Sequence, residues 1–269
     1  MKAPDLAAAR SLLFVPGDRP ERFTKAAGCG ADQIILDLED AVAPALKALA
    51  RRHVRDWLAG GGAGIVRVNG FDTRWCTDDL AMVAEYGCPV MLPKADAETL
   101  RSLALDVPVI ALIETARGVL GAAGVCRVPG VVRVAFGSID LSAEIGTPPD
   151  DYVALNTARS ALVLASAAAG LPAPIDGVTV DVRDTAAVRK DAVAAARLGF
   201  GGKLCVHPNQ VSVVNEGFSP SDAQVAHARA VVAAAGAGGA GLLDGKMVDR
   251  PVLEHARRLL SRAERVASE

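Results

Sequence analysis

Eight short apolar runs recur along the chain, and longer segments with helical spacing of their apolar residues separate them. A strand followed by a helix, repeated at intervals of roughly 20 to 40 residues, is typical of parallel α/β proteins. This alternation restricts the fold more than any other feature of the sequence. The predicted strands cover residues 11–15, 33–38, 64–69, 89–93, 107–113, 131–136, 174–178 and 202–206. The clearest helical segments cover residues 20–27, 44–58, 150–169 and 181–198.

The number of repeats separates two parallel α/β architectures. Eight units predict a closed (β/α)8 TIM barrel, which is routinely one domain of about 250 residues and therefore suits a chain of 269. An open doubly wound sheet does not need eight units, and it usually carries a glycine fingerprint after its first strand. Here Gly28 and Gly30 precede a strand, which indicates a helix end. The predicted fold is therefore the (β/α)8 barrel.

The pattern changes after the last predicted strand. Ser-Pro-Ser-Asp at 219–222 predicts the start of a helix over 220–235, and a charged amphipathic helix is predicted over 251–267. Between them, residues 236–241 read Gly-Ala-Gly-Gly-Ala-Gly, which is typical of a flexible hinge. We expect a barrel domain over residues 1–218 and a helical extension over residues 219–269 that serves as a lid, an oligomer arm or both.

Composition argues against several classes of function. The net charge is −2, which gives no electrostatic footprint for nucleic acid or for an anionic membrane surface. No apolar run approaches the roughly 18 residues that span a bilayer, and the first residues lack the apolar segment of a signal peptide. The five cysteines are scattered without zinc-ligand spacing, which indicates reduced thiols and a cytoplasmic protein.

Polar side chains collect where the predicted strands end. Residues 33–40 end in three carboxylates, Asp37, Glu39 and Asp40, which need a cation, a basic side chain or solvent because unpaired buried charge is costly. The C-terminal strand ends of a barrel form its active site. Carboxylates outnumber bases there, so we expect a hard divalent cation such as Mg²⁺. Further polar residues at predicted strand ends are Asp18, Arg19, Arg67, Asn69, Lys94, Glu114, Asp140, His207, Asn209 and Gln210.

Seven blocks of the sequence form a distinctive set. They are Leu-Phe-Val-Pro-Gly-Asp-Arg-Pro-Glu-Arg-Phe (13–23), Leu-Asp-Leu-Glu-Asp-Ala-Val (36–42), Val-Arg-Val-Asn-Gly (66–70), Leu-Pro-Lys-Ala (92–95), Ile-Glu-Thr-Ala-Arg-Gly (113–118), Phe-Gly-Ser-Ile-Asp-Leu (136–141) and Cys-Val-His-Pro-Asn-Gln (205–210). In the same order, these blocks resemble the citrate lyase β-subunit-like proteins. This group belongs to the wider class of magnesium-dependent aldolases and malyl-CoA lyases built on a (β/α)8 barrel. The resemblance implies cleavage or formation of a C–C bond through an enolate of an acyl-CoA.

The resemblance implies roles for five polar residues. Glu114 and Asp140 match the family's magnesium ligands, with Glu114 also near the substrate; either one could instead cap a helix or form a turn. Arg67 matches the arginine that binds the keto-acid carboxylate, a bidentate contact that suits a guanidinium. An internal ion pair of Arg67 with Glu39 or Asp40 is the alternative, and both can hold. Glu39 is expected to take part in catalysis, and Glu39 and Asp40 to support the metal's water shell or basic side chains.

Three further residues match positions that contact CoA or acyl-CoA in malyl-CoA lyase relatives. They are Phe14, Arg19 and Lys25. Core packing is the alternative for Phe14, and solvated surface charge is the alternative for Arg19 and Lys25. The roles of Lys94 and His207 stay open.

Asp249, in the segment Met-Val-Asp-Arg-Pro at 247–251, resembles the family aspartate that closes over a neighbouring subunit's site as the acid–base residue. An aspartate at this place before a proline is also a good helix N-cap. The catalytic interpretation implies a homo-oligomer, a trimer or a multiple of it.

The sequence therefore predicts a magnesium-dependent lyase acting on a 3-hydroxyacyl-CoA of the malyl-, citramalyl- or hydroxymethylglutaryl-CoA type. The products are an acyl-CoA and a keto acid or a similar carbonyl compound. One alternative is the citryl-cleaving β-subunit of a citrate lyase complex. Another is a non-catalytic protein that binds acyl-CoA or a keto acid. The sequence does not identify the acyl chain.

Overall fold

The computed structural model describes residues 5–103, 105–235, 241–243 and 245–267, with the side chains of 266 and 267 left aside. The chain divides into two compact units, Met1–Gly217 and Phe218–Glu269. Most of the expected glycine hinge, residues 236–240, lies outside the described residues.

The first unit is a closed barrel of eight parallel strands whose order around the barrel is their order in the sequence. This confirms the predicted (β/α)8 fold. Six of the eight strands are shorter than their predicted runs, because those runs also include flanking residues outside the hydrogen-bonded ladder; β6 matches its run, and β1 extends one residue further. The strands are β1 (Ser11–Pro16), β2 (Gln33–Asp37), β3 (Ile65–Arg67), β4 (Val90–Leu92), β5 (Val109–Ile113), β6 (Val131–Phe136), β7 (Ile175–Asp176) and β8 (Gly202–Cys205).

Helices follow the strands, and several begin at the caps that the sequence supplies. Asp151 and Asp184 accept backbone N–H groups at the starts of two long helices. Short 3-10 turns cover Pro20–Arg22, Pro44–Leu46 and Pro208–Gln210. The helices of this unit are α1 (Phe23–Ala27), α2 (Lys47–Ala59), α3 (Cys76–Tyr86), α4 (Ala97–Leu103), α5 (Ala116–Leu120), α6 (Ala122–Val125), α7 (Ser138–Ile145), α8 (Tyr152–Ala168), α9 (Thr185–Leu198) and α10 (Val211–Phe218), the last ending at the unit boundary.

Alternate residues of each strand point into the barrel, and these inward positions form one buried apolar cluster. The same alternation places polar residues on the inward face at the C-terminal ends of three strands. Asp37, Arg67 and Glu114 each lie two residues beyond an inward apolar residue, namely Ile35, Ile65 and Leu112. Because all the strands are parallel, these side chains gather at one end. The cluster contains Leu6, Ala9, Leu12, Ile35, Ile65, Met91, Ile110, Leu112, Ala135, Ile175 and Leu204.

The second unit consists of two helices and a hairpin. Helix α11 (Asp222–Ala235) and helix α12 (Arg250–Ala267) bury a small apolar cluster that includes Val231, Val248 and Leu253. Strands β9 (Gly241–Leu243) and β10 (Lys246–Val248) pair in antiparallel fashion. None of the helices in the described part of the chain has the length and apolar character to cross a membrane.

Arg133 of β6 lies near the amino-terminal end of the barrel and is 1% exposed. Its Nη1 donates to the carbonyl oxygens of Leu6 at 2.9 Å and Ala9 at 2.7 Å, and its Nε donates to the carbonyl of Ala173 at 2.7 Å. A buried guanidinium bound to backbone carbonyls thus joins the amino-terminal segment to the barrel.

We expect Arg133→Met to lower the free energy of unfolding by about 2–4 kcal/mol, because each buried carbonyl left without a donor costs about 1–3 kcal/mol. Urea denaturation measures the change. The matched control is Arg127→Met, which removes an exposed arginine and is expected to change the stability little. Equal stability of the two variants would contradict the structural role of Arg133.

Candidate active site

The polar end of the barrel is centred on an ion pair between Asp37 and Arg67. Nε of Arg67 donates to Oδ1 of Asp37 at 2.7 Å, and Nη2 donates to Oδ2 at 2.6 Å. Asp37 is 1% exposed and Arg67 is 8% exposed. Burial lowers the pKa of Arg67, but the charge and hydrogen bonds of Asp37 outweigh it, so the pKa of Arg67 lies above its ordinary value. The guanidinium is therefore permanently charged and fixed in orientation.

The internal ion pair considered from the sequence is present, but its main partner differs from the two considered there. Nη1 of Arg67 lies 3.0 Å from Oε2 of Glu39 and 3.6 Å from Oδ2 of Asp40. Asp37 alone receives the two-pronged contact, because it shares the inward face of adjacent strands with Arg67, whose Cα is its register partner. Asp40 lies beyond the strand and is exposed.

The aromatic ring of Phe14 packs against the guanidinium of Arg67. The Cζ of Arg67 is 4.6 Å from the centre of the Phe14 ring, a cation–π distance. Phe14 is half-buried and packs on the apolar cluster of the barrel. The ring therefore supports Arg67, and its contact with CoA stays a prediction.

Glu39 is a buried carboxylate with little compensation. The residue is 7% exposed, and among the described residues no donor is aligned for a hydrogen bond to its Oε2, although Arg67 Nη1 is near. Burial raises the pKa of Glu39 from its ordinary 4.5 to about 7; the charges of Asp40 and Asp37 act in the same direction, and Arg67 opposes them. Glu39 can therefore hold or release a proton near neutral pH.

Glu114 is more deeply buried, with 3% of its surface exposed. Its Oε1 accepts the backbone N–H of Lys94 at 2.8 Å. Burial raises the pKa of Glu114 from 4.5 to about 8, and the negative charges of Glu39 and Asp140 add to the shift. A Cβ at Gly137 would collide with the Glu114 side chain, so this position requires glycine. A cation near Glu114 would relieve this electrostatic cost.

Lys94 holds an unusual backbone conformation to make that contact. Its φ of +49° is left-handed, and among the described residues other than glycine no other φ is positive. Such a conformation costs about 1–3 kcal/mol and persists where the surroundings impose it. Here the Lys94 amide bonds Glu114, and the next amide, of Ala95, donates to the carbonyl of Leu112 at 3.0 Å. The Lys94 side chain is exposed.

Asp140 lies in the first turn of α7, where the helix dipole favours a negative charge. Its side chain is exposed, and its charge raises the pKa of Glu114. The structure therefore brings the two expected magnesium ligands into electrostatic range of each other. No group of three His, Cys, Asp or Glu side chains among the described residues is arranged to hold a metal. One or two carboxylates with water and substrate are a common magnesium site.

Two other expected residues of the barrel unit take no part in these contacts, and a third belongs to the second unit. Arg19 follows β1 and Lys25 is on α1; both are exposed, and neither makes an ion pair within the described part of the chain. Asp249, in the second unit, caps α12: its Oδ1 accepts the N–H of Val252 at 3.2 Å. The capping alternative for Asp249 is thus observed, and its catalytic role stays a prediction.

Lys47 is a residue of this region that sequence reasoning missed. It is 6% exposed, and its Nζ donates to the carbonyl oxygens of Leu38 at 2.8 Å and Glu39 at 2.7 Å. Burial lowers the pKa of Lys47, and the charges of Asp37 and Glu39 oppose that shift. Lys47 thereby fixes the loop that carries Glu39. A lysine in the first turn of a helix gives no sequence signal that distinguishes it from a solvated one.

Comparison with known proteins gives a consistent picture. The family described as HpcH/HpaI aldolase/citrate lyase matches residues 10–208, which include all eight barrel strands. A citrate lyase subunit beta-like protein from Mycobacterium tuberculosis (strain H37Rv) is 40% identical over 98% of this chain and 98% of its own.

Two relatives carry names of different activities. A (3S)-malyl-CoA thioesterase from Cereibacter sphaeroides is 36% identical over 96% of each chain. An L-malyl-CoA/beta-methylmalyl-CoA lyase from Rhodobacter capsulatus is 34% identical over 95% of this chain and 94% of its own. The solved structure of CitE from Mycobacterium tuberculosis, in complex with magnesium, acetoacetate and coenzyme A, has a TM-score of 0.85 and 39% identity, and covers 96% of this chain and 99% of its own.

The raised pKa values predict how stability depends on pH in a metal-free buffer containing a chelator. Between about pH 4.5 and 8, the unfolded chain releases protons that the folded chain keeps on Glu39 and Glu114. The free energy of unfolding should therefore fall as pH rises through this window.

Glu114→Gln should flatten that fall, because a neutral amide has no proton to lose. Denaturant unfolding at a series of pH values measures the slope. Glu98→Gln removes an exposed carboxylate and serves as the matched control. The interpretation is wrong if Glu114→Gln retains the slope of the parent protein.

Proposed function

The chain belongs to the HpcH/HpaI aldolase/citrate lyase family, and we propose that it is a magnesium-dependent lyase that cleaves or forms a 3-hydroxyacyl-CoA. The products of cleavage are an acyl-CoA and a keto acid or a similar carbonyl compound. The observation that carries the proposal is Glu114, a buried carboxylate beside the charge of Asp140, at the barrel end that also holds Arg67. Such a site favours a bound cation and can orient an anionic substrate.

The residues fit magnesium by their chemistry. Glu114 and Asp140 offer carboxylate oxygens, the ligands that this hard cation prefers. Burial and like charge raise the pKa of Glu114, and a bound cation would oppose both effects. When bound, magnesium supplies a Lewis acid that polarises the keto-acid carbonyl. The related CitE structure contains magnesium with acetoacetate and coenzyme A.

Arg67 is the proposed contact for the keto-acid carboxylate. A guanidinium carries five N–H donors, and the contacts with Asp37 use one on Nε and one on Nη2. The remaining donors, on Nη1 and Nη2, are available to a substrate, with Glu39 and Asp40 competing for Nη1. Since Asp37 and Phe14 already hold the guanidinium, little conformational entropy is lost when the substrate binds.

Phe14, Arg19 and Lys25 are the proposed contacts for the CoA part of the substrate. The exposure of Arg19 and Lys25 leaves both charges available to phosphate groups. The five cysteines are free thiols, which supports the cytoplasm as the proposed location.

Asp249 is the proposed proton carrier, acting on the site of a neighbouring subunit. It is half-buried, and its carboxylate accepts a hydrogen bond from the first turn of α12. On this proposal Asp249 takes or returns a proton on the acyl-CoA carbon, while Glu39 exchanges protons near neutral pH within the barrel. The proposal requires a homo-oligomer, a trimer or a multiple of it.

A thioesterase is the second candidate, favoured by the 36% identical relative that is named for this activity. The two reactions break different bonds of the same substrate. A lyase divides malyl-CoA into acetyl-CoA and glyoxylate, whereas a thioesterase releases malate and free CoA. The family description also includes citrate lyase, so a citryl-cleaving subunit and a non-catalytic binding protein are further outcomes.

We expect the purified protein to convert malyl-CoA, or its citramalyl- or hydroxymethylglutaryl-CoA analogue, into acyl-CoA and a carbonyl product only when Mg²⁺ is present. Chromatography of the CoA species distinguishes acetyl-CoA from free CoA. Glu114→Gln and Asp140→Asn should each abolish the magnesium-dependent reaction. Free CoA with malate would support the thioesterase, and no turnover of any thioester in either direction would refute both enzymes.

Asp249→Asn should lower kcat by about 100-fold or more, because an amide cannot carry the proton that general acid–base catalysis moves. Asparagine is as good an N-cap as aspartate, so α12 should keep its stability. Asp222→Asn, in the first turn of α11, is the matched control for loss of one carboxylate in this unit. Retained activity in Asp249→Asn would contradict the role of Asp249 as proton carrier. A large fall in kcat with Mg²⁺ binding retained would support that role.

A further inference from the structure

Glu144 of α7 makes a contact that the proposed reaction does not use. Its Oε2 accepts the backbone N–H of Ala116 at 2.8 Å. Glu144 lies four residues after Asp140, so both carboxylates share one face of the helix. This face is directed towards the end of β5, where Glu114 lies two residues before Ala116.

The carboxylate of Glu144 accepts an N–H group at the start of helix α5. Ala116 is the first residue of α5, and the first N–H groups of a helix have no acceptor within it. Thr115 Oγ1 accepts the N–H of Gly118 at 3.0 Å, and Glu144 accepts the N–H of Ala116. Glu144 therefore connects α7 to the segment that follows Glu114.

Two contacts, one before and one after Asp140 in the sequence, connect this region to the segment around Glu114. On one side, the N–H of Gly137 donates to the carbonyl of Ile113 at 2.9 Å, and Gly137 packs directly against Glu114. On the other side is the contact of Glu144. The Asp140 side chain itself is exposed and makes no hydrogen bond within the described part of the chain. Its position relative to Glu114 thus depends on where α7 is held.

We propose that Glu144 is a positioning residue that holds α7 so that Asp140 and Glu114 stay at the spacing that one cation requires. The inference rests on the proposed function, because it takes those two residues as the magnesium ligands. Glu144 itself binds neither the cation nor the substrate. Its effect passes through the backbone of Ala116.

A purely local cap would have a different consequence. If Glu144 only stabilised the start of α5, its loss would change the stability of the protein without changing its affinity for magnesium. If Glu144 only contributed negative charge, Glu144→Gln would weaken magnesium binding as much as Glu144→Ala. The positioning role predicts a loss in the alanine variant that glutamine restores, since an amide oxygen can still accept the N–H of Ala116.

Calorimetric titration of the full-length protein with MgCl₂ tests the inference. We expect Glu144→Ala to weaken Mg²⁺ binding by about 3–10-fold, the effect of one lost hydrogen bond. Glu144→Gln should stay within about twofold of the parent protein on the same reasoning. The matched control is Glu98→Ala, which removes an exposed carboxylate that faces Arg117 of α5 and leaves α7 alone. It should bind Mg²⁺ like the parent.

Hydrogen exchange of the metal-free protein gives a second readout. The amide of Ala116 should exchange faster in Glu144→Ala than in the parent or in Glu144→Gln. If the parent binds Mg²⁺ and Glu144→Ala binds it equally well, or if glutamine fails to restore binding, the positioning role is overturned and the proposed lyase stands. If the parent protein does not bind Mg²⁺, the proposed function fails and this inference with it.

Discussion

Each strand of the barrel alternates between an inward and an outward face, and all eight run in the same direction. The inward positions are apolar along most of each strand, and at the carboxyl ends of β2, β3 and β5 they become polar, with Asp37, Arg67 and Glu114. Closure of the barrel therefore brings polar residues that are far apart in the sequence into one cluster. The burial that stabilises the apolar part also surrounds the polar residues with low-dielectric protein.

The low dielectric constant of the surrounding protein determines which protonation states these residues favour. Asp37 and Arg67 satisfy each other through two hydrogen bonds, so their charges are compensated. Within the described part of the chain Glu39 and Glu114 have no comparable partner, and burial raises their pKa values to about 7 and about 8. The same barrel end thus contains one ion pair whose charges compensate each other and two carboxylates that favour a proton or a cation. This imbalance is the physical basis for the proposed metal site.

Sequence reasoning located the barrel and the strand ends well, because both depend on local periodicity. It did not identify Asp37 as the main partner of Arg67, since which of three nearby carboxylates meets the guanidinium depends on the register between β2 and β3. It also did not find Lys47, whose burial depends on the path of the loop after β2. The left-handed backbone conformation of Lys94 could not be predicted from the sequence either, because lysine has no preference for that conformation.

The class of fold, the family and the set of polar residues at the strand ends can all be read from the amino-acid sequence. These follow from patterns within a few neighbouring residues, which are already present in the extended chain. Which charges are compensated and which are not depends instead on the folded structure. Whether Glu114 meets the amide of Lys94, and whether Glu144 meets the amide of Ala116, depends on distances between segments that lie 20 and 28 residues apart. Only folding establishes those distances, because burial and strand register act on pairs that the sequence keeps separate.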